Sequence, residues 1–496
     1  MAKRQDDRFA GLDTDIRRCL REWGVPGAAV GVVEKNKVIF ARGYGVREVG
    51  GREPVRERTR FFIGSCTKAF TATALGMLVE EGKLEWDRPL PECLPWFRLQ
   101  DPVATERTTV RDALSHRTGL PQHDWIWITS DASREELCAR LRYLEPNRDL
   151  RAAYQYNNLM YMVAGQVVEE LSGQTWERFV TERILEPLKM SRTCVCTALP
   201  GDGSGLALGH LKHGEAVVPW SRLARQDRRS LIGPLAPGGG LVSDVLDMCE
   251  WLRLQMNGGE VAGRRLLSEA TLREIHSPQM VIPEAPVDKE LLDPAYALGW
   301  RVQPYRGYRW ISHGGRLAGY HTHMSFLDDQ AVGVAFLTNM ESPAARVSIP
   351  LLVPLLIYDR LLCLPRIDWN ERRRREVREQ EAQARRQRRP ERRVPNTRPS
   401  HHLEDYAGEY AHPGYGRVAI SATGGRLQLR YNRISFRLRH HHYDEFRMRE
   451  SLLAGESLSG GRDFRVSFRL NPAGAVGAVA IAFEPAVADI VFTRVG

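Results

Sequence analysis

Ser65-Cys66-Thr67-Lys68 stands where an apolar run, Phe61-Phe62-Ile63-Gly64, gives way to a helical pattern. A spacing of three puts Ser65 and Lys68 on one helical face, a turn apart. A serine hydroxyl beside an ammonium, at the positive end of a helix, sits where the alkoxide that attacks a carbonyl is favoured. Serine is also an ordinary helix N-cap, and the pair alone decides nothing. With only eight lysines in the chain, however, a chance Ser-x-x-Lys is expected well below once.

Two further groups bear on the same chemistry. Tyr156-Asn157-Asn158 follows the loop Glu145-Pro146-Asn147 and precedes a helical run from Met160 to Leu171. A phenol there serves as a general base if a cation lowers its pKa from about 10. The Asn158 amide is able to bind both a substrate carbonyl and Lys68. Taken singly, a core tyrosine with an asparagine cap is the plainer reading. His313-Gly314-Gly315 ends the strand-like run Arg309 to Ser312. Glycines after a strand let substrate lie close to the backbone edge, with N–H groups left to donate. The N–H groups of Ser65 and Arg316 would then form an oxyanion hole. A hairpin turn with a solvated histidine is the plainer alternative.

These groups need a scaffold. Strand-like runs Ala28 to Val33 and Val38 to Tyr44 are joined by a hairpin at Lys35-Asn36-Lys37. Helical stretches follow, including Lys68 to Glu81 and Ser133 to Leu144. Strand patterns return at Leu298 to Val302, Arg309 to Ser312, Thr322 to Leu327 and Val332 to Leu337, with a turn at Asp328-Asp329. Sheet edges need pairing, so early and late strands must share one antiparallel sheet, with the middle helices as an inserted subdomain. The expected class is α+β. Residues 1–365 form the hydrolase domain in this reading. Residues 366–400 lose nearly all apolar character and read as an Arg-rich linker. Residues 401–496 alternate in short runs split by glycines, the pattern of a small all-β, barrel-like domain that trims access to the site.

Bulk properties narrow the class. The net charge of +10 is concentrated between Arg366 and Arg398, where 13 arginines face 6 acidic residues. The rest is nearly neutral, so no nucleic-acid partner is expected. The Arg run reads as a solvated, charge-paired helix, with Glu371–Arg375 and Glu381–Arg385 at i,i+4. No apolar run is long enough to span a membrane, and Met1 to Asp7 lacks the apolar stretch of an export signal. The eight cysteines show neither a disulfide framework nor metal-ligand spacing. A cytoplasmic protein follows as the expectation. Gly-x-Ser-x-Gly and His-Glu-x-x-His are absent. His321-Thr322-His323 lies on a strand, and His440-His441-His442 reads as a solvated loop rather than a metal site. Cys66 is expected to pack, and Asp244 and Asp247 read as helix-start and surface charges.

In this order and context, the three groups resemble the signature elements of class C β-lactamases and of the related esterases, D-aminopeptidases and DD-carboxypeptidases. Leu114-Ser115-His116-Arg117-Thr118-Gly119-Leu120-Pro121 resembles another segment of that family. Pro237-Gly238-Gly239-Gly240-Leu241-Val242-Ser243 resembles its small-residue helix start. The likeness covers about residues 12–360; residues 403–496, with Tyr406-Ala407-Gly408-Glu409-Tyr410, resemble the lipocalin-like domain appended to some members. It implies a β-lactamase/transpeptidase-like sheet flanked by helices. It also implies a serine hydrolase acting on a small ester or amide without metal or organic cofactor. Ser65 attacks, Tyr156 and Lys68 manage its proton, Asn158 orients substrate and Lys68, and His313 supports Tyr156 or the leaving group. Gly314, Gly315 and Arg316 line the substrate edge.

The third element departs from the Lys-Thr-Gly usual in β-lactamases and carboxypeptidases. An imidazole replaces the ammonium that helps bind a substrate carboxylate, so uncharged esters and D-amino-acid amides are expected over β-lactams. Protonation of His313 should restore some attraction for anions below about pH 6. β-Lactamase or carboxypeptidase activity is the alternative within the family. A non-catalytic assembling protein is the alternative outside it, and homo-oligomers are compatible with either.

Overall fold

The computed structural model describes residues 7–199, 205–213, 216–220, 232–283, 288–341, 349–387, 393–449 and 463–496. The chain divides into two compact units, one of residues 1–85, 168–222 and 236–389, the other of residues 86–167, 223–235 and 390–496.

The first unit is built on an eight-stranded antiparallel sheet. In chain order its strands are β1 (Gly27–Glu34), β2 (Lys37–Gly45), β3 (Met280–Val281), β4 (Ala295–Tyr296), β5 (Arg301–Tyr305), β6 (Tyr308–Leu317), β7 (Tyr320–Leu327) and β8 (Val332–Thr338). Their order across the sheet is β3-β4-β5-β6-β7-β8-β1-β2. As expected, early and late strands meet: β1 pairs with β8 from Ala28↔Thr338 to Glu34↔Val332. The β1–β2 turn has two residues, Lys35 and Asn36, both at positive φ, the geometry that suits the twist of a tight hairpin. Helices α1 (Leu12–Trp23), α2 (Thr67–Glu80), α4 (Val245–Met256), α5 (Ile349–Leu361) and α6 (Trp369–Gln387) belong to this unit, while α3 (Leu159–Ser172) begins in the second unit and ends in the first. One core joins Leu12 and Ile16 of α1 to Val30, Val334 and Phe336 of the sheet and Leu352 and Ile357 of α5.

Two sequence expectations need correction here. The Arg-rich segment is not simply a solvated linker. Trp369 and Arg373 of α6 are fully buried in the first unit, and Trp369 Nε1 donates to Asp359 at 2.7 Å. Arg373 pairs with Asp288 and Glu376, each at 2.7 Å, while Arg372 bridges Asp288 and Glu290. A buried guanidinium needs such partners, and two of the acids, Asp288 and Glu290, come from far away in sequence. Glu371 pairs with Arg374 and Arg378; of the expected Glu381–Arg385 pair, the Arg385 side chain lies outside the described part. Asp244 and Asp247 are also buried rather than surface charges. Asp244 does cap α4, accepting the N–H groups of Leu246 and Asp247. Asp247 accepts from Thr193 N–H at 2.9 Å and from Arg58 at 2.7 Å.

The second unit combines the helical insertion with a closed eight-stranded barrel. Its strands are β9 (Gly408–His412), β10 (Gly416–Thr423), β11 (Arg426–Tyr431), β12 (Ile434–His442), β13 (Glu445–Arg449), β14 (Asp463–Leu470), β15 (Val476–Ile481) and β16 (Ile490–Val495). Each pairs with the next, and β16 returns to β9. Side chains alternate between interior and solvent along β11 and β12, as the period of two requires. His440-His441-His442 ends β12 and is half-buried, not a solvated loop; His442 lies 3.1 Å from Glu445. Among the described residues, no group of three or more His, Cys, Asp or Glu side chains is placed to hold a metal ion. No described helix is long and apolar enough to cross a membrane.

Candidate active site

In the first unit, Ser65 lies in a 3-10 turn, Gly64–Cys66, that leads into α2. The turn depends on glycine: Gly64 has φ +52°, and a Cβ there would lie 2.9 Å from the Arg316 nitrogen. Thr67 Oγ1 ties the turn down, donating to the Gly64 carbonyl at 2.7 Å and accepting the Leu241 N–H at 3.1 Å. One turn on, Lys68 is fully buried and donates from Nζ to Ser65 Oγ at 3.1 Å and to the Gly238 carbonyl at 2.7 Å. The small-residue segment around Gly238 thus presents main-chain acceptors: the Pro237 carbonyl takes the Thr71 hydroxyl at 2.7 Å. Cys66 turns away from Lys68, its thiol 3.4 Å from the His313 carbonyl and pushed up to about 12 by burial. It packs, as expected.

Strand β6 passes directly against this turn. The sequence suggested that the strand ends at Ser312, but β6 continues through His313-Gly314-Gly315-Arg316 to Leu317. Pairing with β5 stops at Arg301↔Ser312, whereas pairing with β7 continues to Leu317↔Tyr320. The β6–β7 turn is a two-residue hairpin with Ala318 and Gly319 both at positive φ. In such a hairpin the flanking residues exchange hydrogen bonds, and bonded and non-bonded pairs then alternate. Leu317, Gly315 and His313 therefore face β7, and the Arg316 N–H points to the opposite edge, beside Gly64. Gly315 is required by contact: a Cβ would fall 1.8 Å from the Ile63 carbonyl oxygen. Gly314 meets nothing nearer than 3.6 Å.

His313 is 4% exposed, not the solvated histidine of the plainer reading. Its Nδ1 lies 2.7 Å from the Gly314 carbonyl and its Nε2 2.8 Å from the Tyr296 hydroxyl. A carbonyl only accepts, so Nδ1 carries the proton and Nε2 accepts from Tyr296. Burial and the nearby Lys68 ammonium push its pKa down to about 3. The expected protonation near pH 6 is thereby corrected: the ring is neutral across the physiological range.

Tyr156 and Asn158 belong to the second unit, at the entrance of α3. The intervening Asn157 is buried and organises the segment. It caps α3 by accepting the Met160 N–H at 3.0 Å, and its amide donates to the carbonyls of Leu120 and Pro121. His116, buried at positive φ, accepts the Asn157 N–H at Nδ1, and its ring lies 4.3 Å from that of Tyr156. Asn158 donates from Nδ2 to Asp124 Oδ1 at 3.0 Å. Sequence reasoning assigned no role to His116, Asp124 or Tyr296, while the asparagine cap of its plainer reading is Asn157. His116 at least lies in the quoted Leu114–Pro121 segment, but no local signal marks Asp124 or Tyr296.

Comparison with known proteins agrees with this architecture. A profile described as Beta-lactamase matches residues 12–353, and one described as Domain of unknown function (DUF3471) matches residues 392–494. Unguisins hydrolase ungD of Aspergillus violaceofuscus is 28% identical, over 98% of this chain and 90% of that protein. The octameric penicillin-binding protein homologue from Pyrococcus abyssi is 22% identical with a TM-score of 0.63, over 98% of this chain and 99% of that one. D-amino acid amidase from Ochrobactrum anthropi SV3 is 22% identical with a TM-score of 0.57, over 71% of this chain and 97% of that one. These two structures share the fold. With its profile spanning most of the sequence, and Ser65 and Lys68 set against β6, this chain belongs to the beta-lactamase family.

Proposed function

We propose that the chain is a serine hydrolase that forms an acyl-enzyme at Ser65 and cleaves ester or amide bonds of small substrates. The observation that carries the reading is the 3.1 Å hydrogen bond from the buried Lys68 to Ser65 Oγ. Ser65 Oγ attacks the substrate carbonyl while Tyr156 takes its proton, and the Ser65 and Arg316 N–H groups hold the oxyanion. The tetrahedral species collapses as Tyr156 passes the proton to the leaving group. Water then attacks the acyl carbonyl, and the proton it loses restores the Ser65 hydroxyl. Asn158 orients substrate and Lys68. His313, with both ring nitrogens engaged, holds the β6 edge through Gly314 rather than serving the leaving group directly.

The substrate class follows from the neutral His313. With no fixed cation at this position, uncharged acyl esters and D-amino-acid amides are favoured over carboxylate-bearing β-lactams and DD-peptides. A relative whose name is that of a hydrolase, unguisins hydrolase ungD, supports a hydrolytic reaction. Fluorophosphonate labelling of wild type and Ser65→Ala tests the nucleophile, with one mass increment expected on the first and none on the second. A screen of p-nitrophenyl esters, D-amino-acid p-nitroanilides and nitrocefin tests the substrate class. Turnover of nitrocefin matching the best neutral substrate would replace this reading with the β-lactamase one. A wild type that resists labelling would favour the assembling, non-catalytic alternative.

A further inference from the structure

Within the second unit, the loop that follows Pro121 is gripped by the barrel on both sides of Asp124. His123, buried and held at φ +47°, donates its N–H to Glu484 at 2.8 Å. Its ring spans Tyr415 Oη at 2.7 Å and the Glu145 carbonyl at 2.9 Å. A non-glycine residue keeps this left-handed conformation only where its surroundings over-determine it. Trp125 enters an aromatic cage, 5.2 Å from Phe483 and 5.3 Å from Phe464 between ring centres. Its carbonyl accepts the Tyr431 hydroxyl at 3.0 Å. Farther along, the Ile128 carbonyl accepts from Asn432 at 2.9 Å, and Asp131 pairs with Arg433.

Asp124 turns the other way. Its Oδ1 accepts from Trp127 Nε1 at 2.7 Å and from Asn158 Nδ2 at 3.0 Å. The two ends of an asparagine amide are nearly the same size, so packing alone does not choose between them. A carboxylate accepts and never donates. Asp124 therefore holds the NH2 end of Asn158 toward itself and leaves the carbonyl end at the other side of the amide.

From this arrangement we propose that the C-terminal barrel, acting through the 123–131 loop, sets the orientation of Asn158, with Asp124 as the positioning residue. The proposal rests on the serine-hydrolase reading and gives the barrel a part in the reaction, where the sequence suggested only control of access. The barrel supplies no reacting atom; through Asp124 it favours one amide orientation.

The test is a double-mutant cycle on the full-length chain, read as the rate at which a fluorophosphonate labels Ser65. Asp124→Asn keeps the shape but no longer dictates the amide orientation. It should slow labelling on the order of tenfold, within the usual coupling of hydrogen-bonded neighbours. In an Asn158→Ala background the same substitution should change the rate by less than about twofold. Equal effects in both backgrounds would overturn the proposal, since a merely structural role adds. The second measurement needs no activity: hydrogen exchange over residues 150–165 in Trp125→Ala and in Tyr431→Phe. Faster exchange in that segment is expected in both, and unchanged exchange would overturn the proposal. A wild type that resists labelling would defeat the serine-hydrolase reading, while the exchange measurement would still decide whether the barrel holds the Asn158 loop.

Discussion

Around Ser65 position is set mainly by main-chain atoms, whereas around Asn158 it is set mainly by side chains. In the first unit, the carbonyls of Ile63, Gly64 and Gly238 receive the hydroxyls of Thr322 and Thr67 and the ammonium of Lys68, and Gly315 lets β6 touch the turn. In the second, His116, Asn157 and Asp124 each hold one piece of a loop. Main-chain packing tolerates almost no added volume, because backbone cannot swing aside. Side-chain networks degrade by degrees as members are removed. The two regions should therefore fail differently.

Gly315→Ala gives the largest effect. Its methyl group would overlap the Ile63 carbonyl, so fluorophosphonate labelling should fall to background, while Gly314→Ala should stay within about threefold of wild type, given its open surroundings. Equal effects from the two glycines would remove the claim that β6 is fitted to the turn.

Next come Lys68→Ala and Tyr156→Phe. Each should lower turnover by on the order of 10²-fold or more, the usual scale for losing acid–base help. A full rate in Tyr156→Phe would mean that a different group takes the Ser65 proton.

Asn157→Ala probes the side-chain region directly. It deprives two buried carbonyls of a donor and α3 of its cap, at a cost of about 1–3 kcal/mol read from urea unfolding. Loss of labelling out of proportion to that cost would show that the loop is as brittle as the Ser65 turn.

Acid separates stability from specificity. Burial pushes His276, His313 and His323 down to about 3, and His321 well below its ordinary 6.5. Unfolded histidines bind protons below about pH 6.5, while these folded ones do not, so unfolding takes up protons and stability falls as the pH drops. Each contributes a slope of up to about 1.4 kcal/mol per pH unit between the unfolded and folded values. Thermal unfolding from pH 7.5 to 4 should show a steep fall in midpoint beginning near pH 6.5. The smallest effect concerns substrate charge. The preference for neutral over carboxylate-bearing substrates should hold within about twofold from pH 5 to 8, because His313 stays neutral throughout. A rise in carboxylate turnover near pH 6 would place the ring in water after all.

The same contrast explains what could be read from the sequence. Ser65 and Lys68 are a helical turn apart, so their meeting is a local fact and the spacing reveals it. The antiparallel union of β1 with β8 was legible because alternating runs leave edges that must pair. The β6 extension was not, since glycines that usually end a strand are here demanded by contact with Ile63. Composition also misled at α6: a run of arginines looks solvated unless Asp288 and Glu290 are known to lie beside it. Asp124 was invisible for the same reason. Nothing near it in the chain shows that Asn158 lies on one side and that barrel residues as distant as Glu484 hold its neighbours.

The Trp125 cage has a consequence for biosynthesis. Trp125-Ile126-Trp127-Ile128 is an apolar run, and the rings that enclose Trp125 come from Tyr431, Phe436, Phe464 and Phe483. A ribosome working at ~5–20 residues per second makes the last of these roughly 20–70 s after the tryptophan. Throughout that interval the nascent chain carries an uncovered aromatic segment, a natural ligand for chaperones that hold unfolded apolar stretches. A message cut short before the barrel would release a chain in which that segment is never covered, and aggregation rather than partial activity is its expected fate.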